Sequence, residues 1–380
     1  MMELKDWLAK FTNGSAISLE QFKETAVVKI RQNIKPLSQY AEEKSIPEED
    51  IQLLFENIQN RNGYLTRFYN TSLRVLPNKI KLHDLTPMTA DEINNNQLVY
   101  YKNWIRNLHA DDILENTKSG IENNVTYLTM LQELYNEYII DYKILTPSAR
   151  HYMKAGRIGS VFSSYYFRAS IMNPYVVYSL NQSCLLGTRI FTPTLGWSSY
   201  CYGFLECPQV CEYVGTDVIP SVCRKTEELA KTLAPHVRTN ILCEPSEDLL
   251  LSKPFMTAYK DHFDVVFFSP PYYRLELYCG GEQSTDRYKT YEEWLVNYWL
   301  KTIQLCYHVL EKGGRLCYIL SGYGSTNKGS SGALYNLVED MNAITERFFV
   351  LLQKMPMKNK DVHVTKHKET NETIMIFVKK

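Results

Sequence analysis

A ten-residue stretch, Phe263-Asp264-Val265-Val266-Phe267-Phe268-Ser269-Pro270-Pro271-Tyr272, narrows most sharply what this chain can fold into. A near-continuous run of β-branched and aromatic residues is what a strand covered on both faces needs. Two consecutive prolines then remove two backbone donors and set the chain into an extended, rigid turn. Such a turn presents a serine hydroxyl, a prolyl carbonyl and an aromatic ring at the carboxyl edge of a sheet, where open α/β folds bind ligands. That set of groups suits chemistry on a planar heterocycle bearing an amino group.

The surroundings agree with a parallel sheet. From Leu185 onward short strands alternate with helices. The expected strands are 188–194, 212–218, 240–244, 263–269, 315–320, 348–355 and 373–378, with helices over 197–206, 220–234, 291–310 and 332–344. Strand–helix alternation predicts a doubly wound α/β sheet of about seven strands. Only the polar stretch from Lys358 to Asn371 separates the last two strands, so they are expected to pair as an antiparallel hairpin. Residues 1–150 instead carry helical patterning, with a capping box at Ser18-Leu19-Glu20-Gln21 and three- and four-residue apolar spacing over 48–60, 89–107 and 125–142. The expected organisation is an all-helical domain over 1–150, for recognition or oligomerisation with a like or unlike chain, followed by the α/β domain over 151–380.

Bulk properties set limits on partners. The formal net charge of zero excludes a generally basic nucleic-acid coat but allows a local basic groove. The nine cysteines are scattered without a Cys-x-x-Cys pair, which favours reduced, buried thiols in an intracellular compartment over a zinc site or a disulfide framework. Met1 to Phe11 has no long apolar core, so neither a signal peptide nor a membrane span is expected there. Basic residues gather at Lys354, Lys358, Lys360, Lys366 and Lys368 with His363 and His367, and around Arg74–Lys81. Phosphate contact and an ordinary solvated face are both open for them.

Each strand end offers a chemical group. The first expected strand leads through Phe191-Thr192-Pro193-Thr194 into Leu195-Gly196-Trp197-Ser198, a small-residue turn that lets backbone approach a ligand or simply packs strand on helix. The second ends in Asp217-Val218, where a carboxylate can accept ribose hydroxyls or cap the next helix. The third ends before Ser246-Glu247-Asp248, which can bond an adenine amino group or form a solvated cap. The fourth delivers Ser269-Pro270-Pro271-Tyr272.

The order Thr-Pro-Thr-Leu-Gly-Trp-Ser, Gly-Thr-Asp, Ser-Glu-Asp, Ser-Pro-Pro-Tyr resembles that of the class I S-adenosylmethionine-dependent methyltransferases. More narrowly, it resembles the DNA amino-methyltransferases that modify N4 of cytosine or N6 of adenine. The likeness spans roughly residues 160–380. It implies S-adenosyl-L-methionine as cofactor, held by Phe191, Thr192, Pro193, Thr194, Gly196, Trp197, Asp217, Val218, Ser246, Glu247, Asp248 and Ser269. It implies DNA as partner, with RNA as the alternative, and Phe167-Arg168-Ala169-Ser170 as part of an upstream helix closing over methionine. Ser269, Pro270, Pro271 and Tyr272 become the catalytic set. The serine and the Pro270 carbonyl would accept hydrogen bonds from the target amine and localise its lone pair, while Tyr272 stacks on the extruded base. Serine in the first position leans towards cytosine.

The chain departs from that family at two positions. Thr192 stands where an acid is usual and Ser198 where a second glycine is usual, and each change removes about 1–2 kcal/mol of cofactor binding on the scale of a charged hydrogen bond. These departures give the alternative expectation, an inactive subunit of the same fold that binds nucleic acid or scaffolds a complex. With no room for a recognition domain after the last strand, target reading falls to the amino-terminal region, to the loop Leu275–Ser284, or to another subunit. Ser321-Gly322-Tyr323-Gly324 is expected to border the base pocket or to be a plain loop.

Overall fold

The computed structural model describes residues 1–12, 17–76, 81–119, 125–166, 168–321, 336–358 and 369–380. The chain divides into two compact units, Met1–Val75 with Arg106–Ala169, and Leu76–Ile105 with Ser170–Lys380.

In the larger unit all seven expected strands form: β1 (Arg189–Thr192), β2 (Glu212–Thr216), β3 (Arg238–Leu242), β4 (Phe263–Phe268), β5 (Leu310–Ser321), β6 (Phe349–Lys358) and β7 (Glu369–Lys379). They build one sheet in the order β6-β7-β5-β4-β1-β2-β3. The pairs β3–β2, β2–β1, β1–β4 and β4–β5 are parallel, and β7 runs antiparallel to both β5 and β6. This is a Rossmann-like, doubly wound sheet with a carboxyl-terminal antiparallel hairpin. Its arrangement follows from burial. In β4 every residue except Asp264 is buried, and all of β2 is buried, whereas edge strand β3 is half-buried to exposed and edge strand β6 is largely exposed.

The helices that matter for the site are α1 (Ser199–Leu205), which follows β1, and α2 (Pro220–Leu233), which follows β2. The expected helix over 291–310 is composite. It runs as Tyr291–Trp294, then a π-helical stretch Leu295–Leu300, then α3 (Lys301–Val309). Its Trp294 and Trp299 are fully buried, as core residues of the helix. Between β1 and β4 the chain leaves in one direction to β2 and β3 and returns in the other to β4 and β5. The switch point therefore lies at the carboxyl ends of β1 and β4.

The smaller unit is mostly helical, with Leu19–Thr25, Glu48–Gln59, Tyr127–Asn136, Pro147–Lys154 and Ile158–Tyr165 among its helices. The Ser18–Gln21 capping box is present in both directions, at 3.2 and 2.9 Å. The unit is not all-helical, because Val27–Ile30 pairs antiparallel with Asn33–Pro36 and parallel with Ile139–Asp141. The expected helix over 125–142 accordingly ends at Asn136. Tyr138 turns the chain at φ 56°, and the β-branched pair Ile139-Ile140 joins Val27-Val28 as a strand. A buried Asp50 anchors this unit, bonded to Arg150 at 2.5 Å and to Lys154 at 2.7 Å. Burial works against its charge, yet the two cations hold its carboxyl below the usual range.

Two further expectations are refined. The helical spacing over 89–107, which the polar run Asn94-Asn95-Asn96-Gln97 interrupts, forms a helix at Val99–Leu108, and the Asn94 and Asn95 side chains satisfy backbone groups before it. Asn94 accepts from the Asn96 N–H at 2.8 Å, and Asn95 accepts from the Asn173 N–H at 2.7 Å. The boundary expected at residue 150 also moves. Residues 76–105 belong with the sheet because Tyr101 and Trp104 pack on Tyr202 at 6.0 and 5.3 Å and Tyr175 donates to the Thr86 carbonyl at 2.6 Å.

Candidate active site at the carboxyl edge of the sheet

The bend after β1 is unusual backbone. Gly196, Trp197 and Ser198 all have positive φ, at 52°, 58° and 67°. The two non-glycine residues in this left-handed region cost about 1–3 kcal/mol each, and strain of this kind gathers at ligand clamps. Gly196 is required for space as well, since a Cβ there would lie 2.2–2.6 Å from the Tyr200 ring. Trp197 is buried and packs edge-on against Tyr278 at 5.5 Å.

Tyr200, in the first turn of α1, connects this bend to the proline turn after β4. Its hydroxyl accepts the Ser269 N–H at 3.0 Å and approaches the Ser269 carbonyl at 3.4 Å. The bend and the turn therefore meet at one edge of the sheet, as their strand positions require, with the Tyr200 ring between Gly196 and Ser269. Burial pushes its phenol well above the ordinary range.

Ser269 is half-buried, and its hydroxyl donates to the Ile319 carbonyl of β5 at 3.0 Å. With its proton committed there, the oxygen faces any other partner as an acceptor. Among the described residues none donates to the Pro270 carbonyl. Pro271 and Tyr272 are half-buried beside it, and burial, reinforced by the charge of Glu372, raises the Tyr272 phenol.

Asp217 holds the site's backbone together. Its Oδ2 accepts the Leu195 N–H at 3.1 Å, and its Oδ1 accepts the Val218 and Ile219 N–H groups at 2.8 and 3.2 Å. It is not the cap of α2, whose N-cap is Ile219. Three of its four lone-pair positions are used, leaving one acceptor position rather than the pair expected for two hydroxyls. Burial raises its carboxyl despite these three donors. The Leu275–Ser284 loop lies directly on this strand end, because a Cβ on Gly281 would stand 2.0 Å from the Val218 carbonyl oxygen. Glu276 in that loop accepts the Ser170 N–H at 3.2 Å, the Ser170 hydroxyl at 2.6 Å and the Tyr278 hydroxyl at 2.5 Å. Burial raises its carboxyl too.

The remaining expected residues divide. Phe191 is core, its ring stacked on Phe263 at 5.5 Å and near Phe255 at 5.9 Å, rather than facing the crevice. Thr192 is buried and its hydroxyl pairs with the Tyr213 hydroxyl at 2.7 Å. Pro193 is buried; Thr194 Oγ1 is buried without a formed hydrogen bond. Ser198 turns its hydroxyl to Thr226 of α2 at 2.7 Å. At the end of β3, Ser246 shares a hydrogen bond with Thr302 at 3.2 Å. Arg287 binds Glu247 and Asp248, each at 2.9 Å. Burial raises Glu247, with the Arg287 charge opposing.

Sequence reasoning missed Tyr200, Glu276, Arg287 and the buried Tyr298. A tyrosine in an apolar helix reads as core, and only its partner across the sheet reveals it. Phe167, Gly322–Gly324, Lys360, His363, Lys366, His367, Lys368 and part of Arg74–Lys81 lie outside the described residues. Among the described residues, no group of three or more His, Cys, Asp or Glu side chains is placed to hold a metal, all nine cysteines are free, and no helix is long and apolar enough to cross a membrane.

No family model and no curated protein matches the chain. Among solved structures it is similar to the N-methyltransferase NodS from Bradyrhizobium japonicum WM9 in complex with S-adenosylhomocysteine, at 13% identity over 53% of this chain and 82% of that one, TM-score 0.35. It is similar to TrmN from Thermus thermophilus at 14% identity over 55% and 49% of the two chains, TM-score 0.33. A third is the [4+2]-cyclase SpnF, at 11% identity over 55% and 83%, TM-score 0.37.

Proposed function

We propose that the larger unit is an S-adenosylmethionine-dependent methyltransferase acting on the exocyclic amino group of a nucleic-acid base, with DNA as the first substrate class. The observation that carries this reading is the Ser269 hydroxyl, whose proton is bound to Ile319 and whose oxygen remains an acceptor beside the Pro270 carbonyl, to which none of the described residues donates. Two acceptors in a rigid turn suit the two protons of an amine. Accepting both localises the nitrogen lone pair, which conjugation otherwise withholds from attack. Tyr272 supplies the aromatic face for an extruded base. Serine favours cytosine N4, and adenine N6 is the alternative.

The crevice also suits the cofactor. Its carboxyl edge carries Asp217 and Glu276 without a cationic partner among the described residues, together with buried polar atoms lacking partners at Thr194 Oγ1, Ser199 Oγ and the Tyr298 hydroxyl. A polar ligand bearing positive charge answers both needs. S-Adenosylmethionine supplies the sulfonium methyl. The chain's part is to hold donor and acceptor in line, where orientation provides most of the rate.

Methyl transfer from labelled cofactor to DNA and to RNA, compared with Ser269→Ala, tests the proposal. The variant is expected to lose about 100-fold or more of the rate. Equal background transfer by both proteins on every substrate overturns it. The Tyr200 ring between Gly196 and Ser269 favours a second reading, an inactive fold that only binds or scaffolds. Calorimetry with S-adenosylhomocysteine separates the two, since no binding at millimolar ligand selects the second.

A further inference from the structure

None of the nine thiols belongs to the site just described, yet two of them meet beside the Asp217 backbone. Cys223 lies in the first turn of α2 and is buried, at 7% exposure, whereas Cys243 follows β3 directly and is exposed. The Cys223 thiol reaches the Asp217 carbonyl at 3.5 Å and the carbonyl of Leu242, the residue before Cys243, at 3.7 Å. It also hydrogen-bonds the Cys243 thiol itself. The backbone around them is held in place. The Asp217 N–H donates to the Leu242 carbonyl at 3.1 Å, and the Thr216 hydroxyl donates to the Glu244 carbonyl. Thiols already in hydrogen-bond contact need only a small shift of side chains to reach the roughly 2 Å of a sulfur–sulfur bond. Their surroundings also set an order of reaction. Burial, then the Asp217 charge, push the Cys223 thiol up, so it holds little thiolate, while Cys243 stands where a dissolved oxidant reaches it.

We propose that Cys243 and Cys223 form a reversible disulfide, a redox modification site that ties the end of β3 to the first turn of α2 next to the Asp217 backbone. The co-reactant is a small soluble disulfide, for which oxidised glutathione is the probe. The Cys243 thiolate attacks one of its sulfurs, the glutathione S–S bond breaks, and one glutathione thiolate leaves. Cys223 then gives its proton to water, and its sulfur attacks Cys243 Sγ and expels the second glutathione thiolate. Two protein thiols are oxidised and one glutathione disulfide is reduced to two thiols, so the protons lost by the cysteines end on glutathione. Excess glutathione thiol runs both steps backwards. Cys243 is thus the entry thiol and Cys223 the resolving one.

The test incubates the folded full chain with glutathione mixtures from fully reduced to fully oxidised, blocks the remaining thiols by alkylation and reads the linkages by peptide mass spectrometry. Wild type is expected to give a peptide pair joined through Cys223 and Cys243, lost again on added glutathione thiol. Cys243→Ser should show neither the link nor a glutathione adduct at Cys223. Cys223→Ser, or Cys223→Ala where the serine variant folds poorly, should stop at the adduct on Cys243 and accumulate it roughly 10-fold or more over wild type. A folded wild type that yields no such link at any mixture overturns the inference. So does a glutathione adduct on Cys243 that is equally abundant with and without Cys223, or Cys243 linked to the exposed Cys211 or Cys279 as often as to Cys223. None of these outcomes depends on methyl transfer, so the cofactor reading stands or falls separately.

Discussion

Two aspartates hold the two ends of β1, and they do so in nearly the same way. At its entry, Asp264 accepts the N–H groups of Thr188 and Arg189 at 3.0 Å and the Thr188 hydroxyl at 2.5 Å. At its exit, Asp217 accepts the N–H groups of Leu195, Val218 and Ile219. Their surroundings differ. Near Asp264 the polar groups are paired: Arg189 with Glu311 at 2.7 Å and Lys379 with Asp261 at 2.5 Å as ion pairs, and His262 with Glu212 by a 2.7 Å hydrogen bond. Around Asp217 the carboxylates are raised by burial, and the buried hydroxyls of Thr194, Ser199 and Tyr298 lack partners. Among the described residues, these buried hydroxyls without partners lie on the exit side, while the entry side has one such buried polar atom, Glu212 Oε1. The hydrogen bonds of the two aspartates look alike, and it is their surroundings that differ.

The largest effect expected from this contrast comes from the two alanine variants. Asp264→Ala and Asp217→Ala each leave two or three backbone donors unsatisfied and should lose about 2–4 kcal/mol of stability, read by denaturant melts. Only Asp217→Ala should also weaken S-adenosylhomocysteine binding, by about 10-fold or more per folded molecule. Equal losses of affinity in both variants would remove the distinction. Next in size, Gly196→Ala must place a Cβ against the Tyr200 ring at positive φ. It should destabilise by about 2–3 kcal/mol, and pairing it with a smaller residue at position 200 should recover most of that loss.

The smallest effect is in pH. Asp217, Glu247, Glu276 and Glu372 all have carboxyls raised by burial, so the folded chain binds their protons more tightly than the unfolded one. Their contribution to stability therefore declines as pH rises from the ordinary carboxylate range through the raised folded values. Asp261, lowered by its hydrogen bond from Lys379, acts oppositely: its contribution is present above the ordinary value and is lost as pH falls through the folded one. The melting temperature of Glu276→Gln should accordingly change less than that of wild type between about pH 5 and pH 8. An unchanged pH profile would show that burial of Glu276 does not set it.

Much of the fold was legible in the linear chain. Periodicity placed all seven strands of the large sheet, and the polar link after β6 announced the antiparallel pair. These features are local, since an apolar run or a proline pair acts through its own neighbours. The same method read 125–142 as one helix and missed the small sheet, because Ile139-Ile140 becomes a strand only when Val27-Val28 arrives from far away in sequence. Asp217 and Ser269 could be placed at strand ends because the apolar runs before them are local signals. The packing of the Phe191 ring on Phe263 and Phe255 was not legible, because alternation alone does not tell which side of β1 faces the core.

By itself, the sequence determined a sheet with a rigid Ser-Pro-Pro-Tyr turn and a glycine bend at the same edge, since prolines, glycine and apolar runs restrict the backbone wherever they occur. Only the tertiary structure decided which polar groups remain available there. Ser269 became an acceptor because Ile319 takes its proton, Glu247 and Asp248 were withdrawn by Arg287, and Tyr298 was left without a partner. Hydrogen bonds between distant strands saturate some groups and orphan others, and that division depends on positions in space rather than on order along the chain.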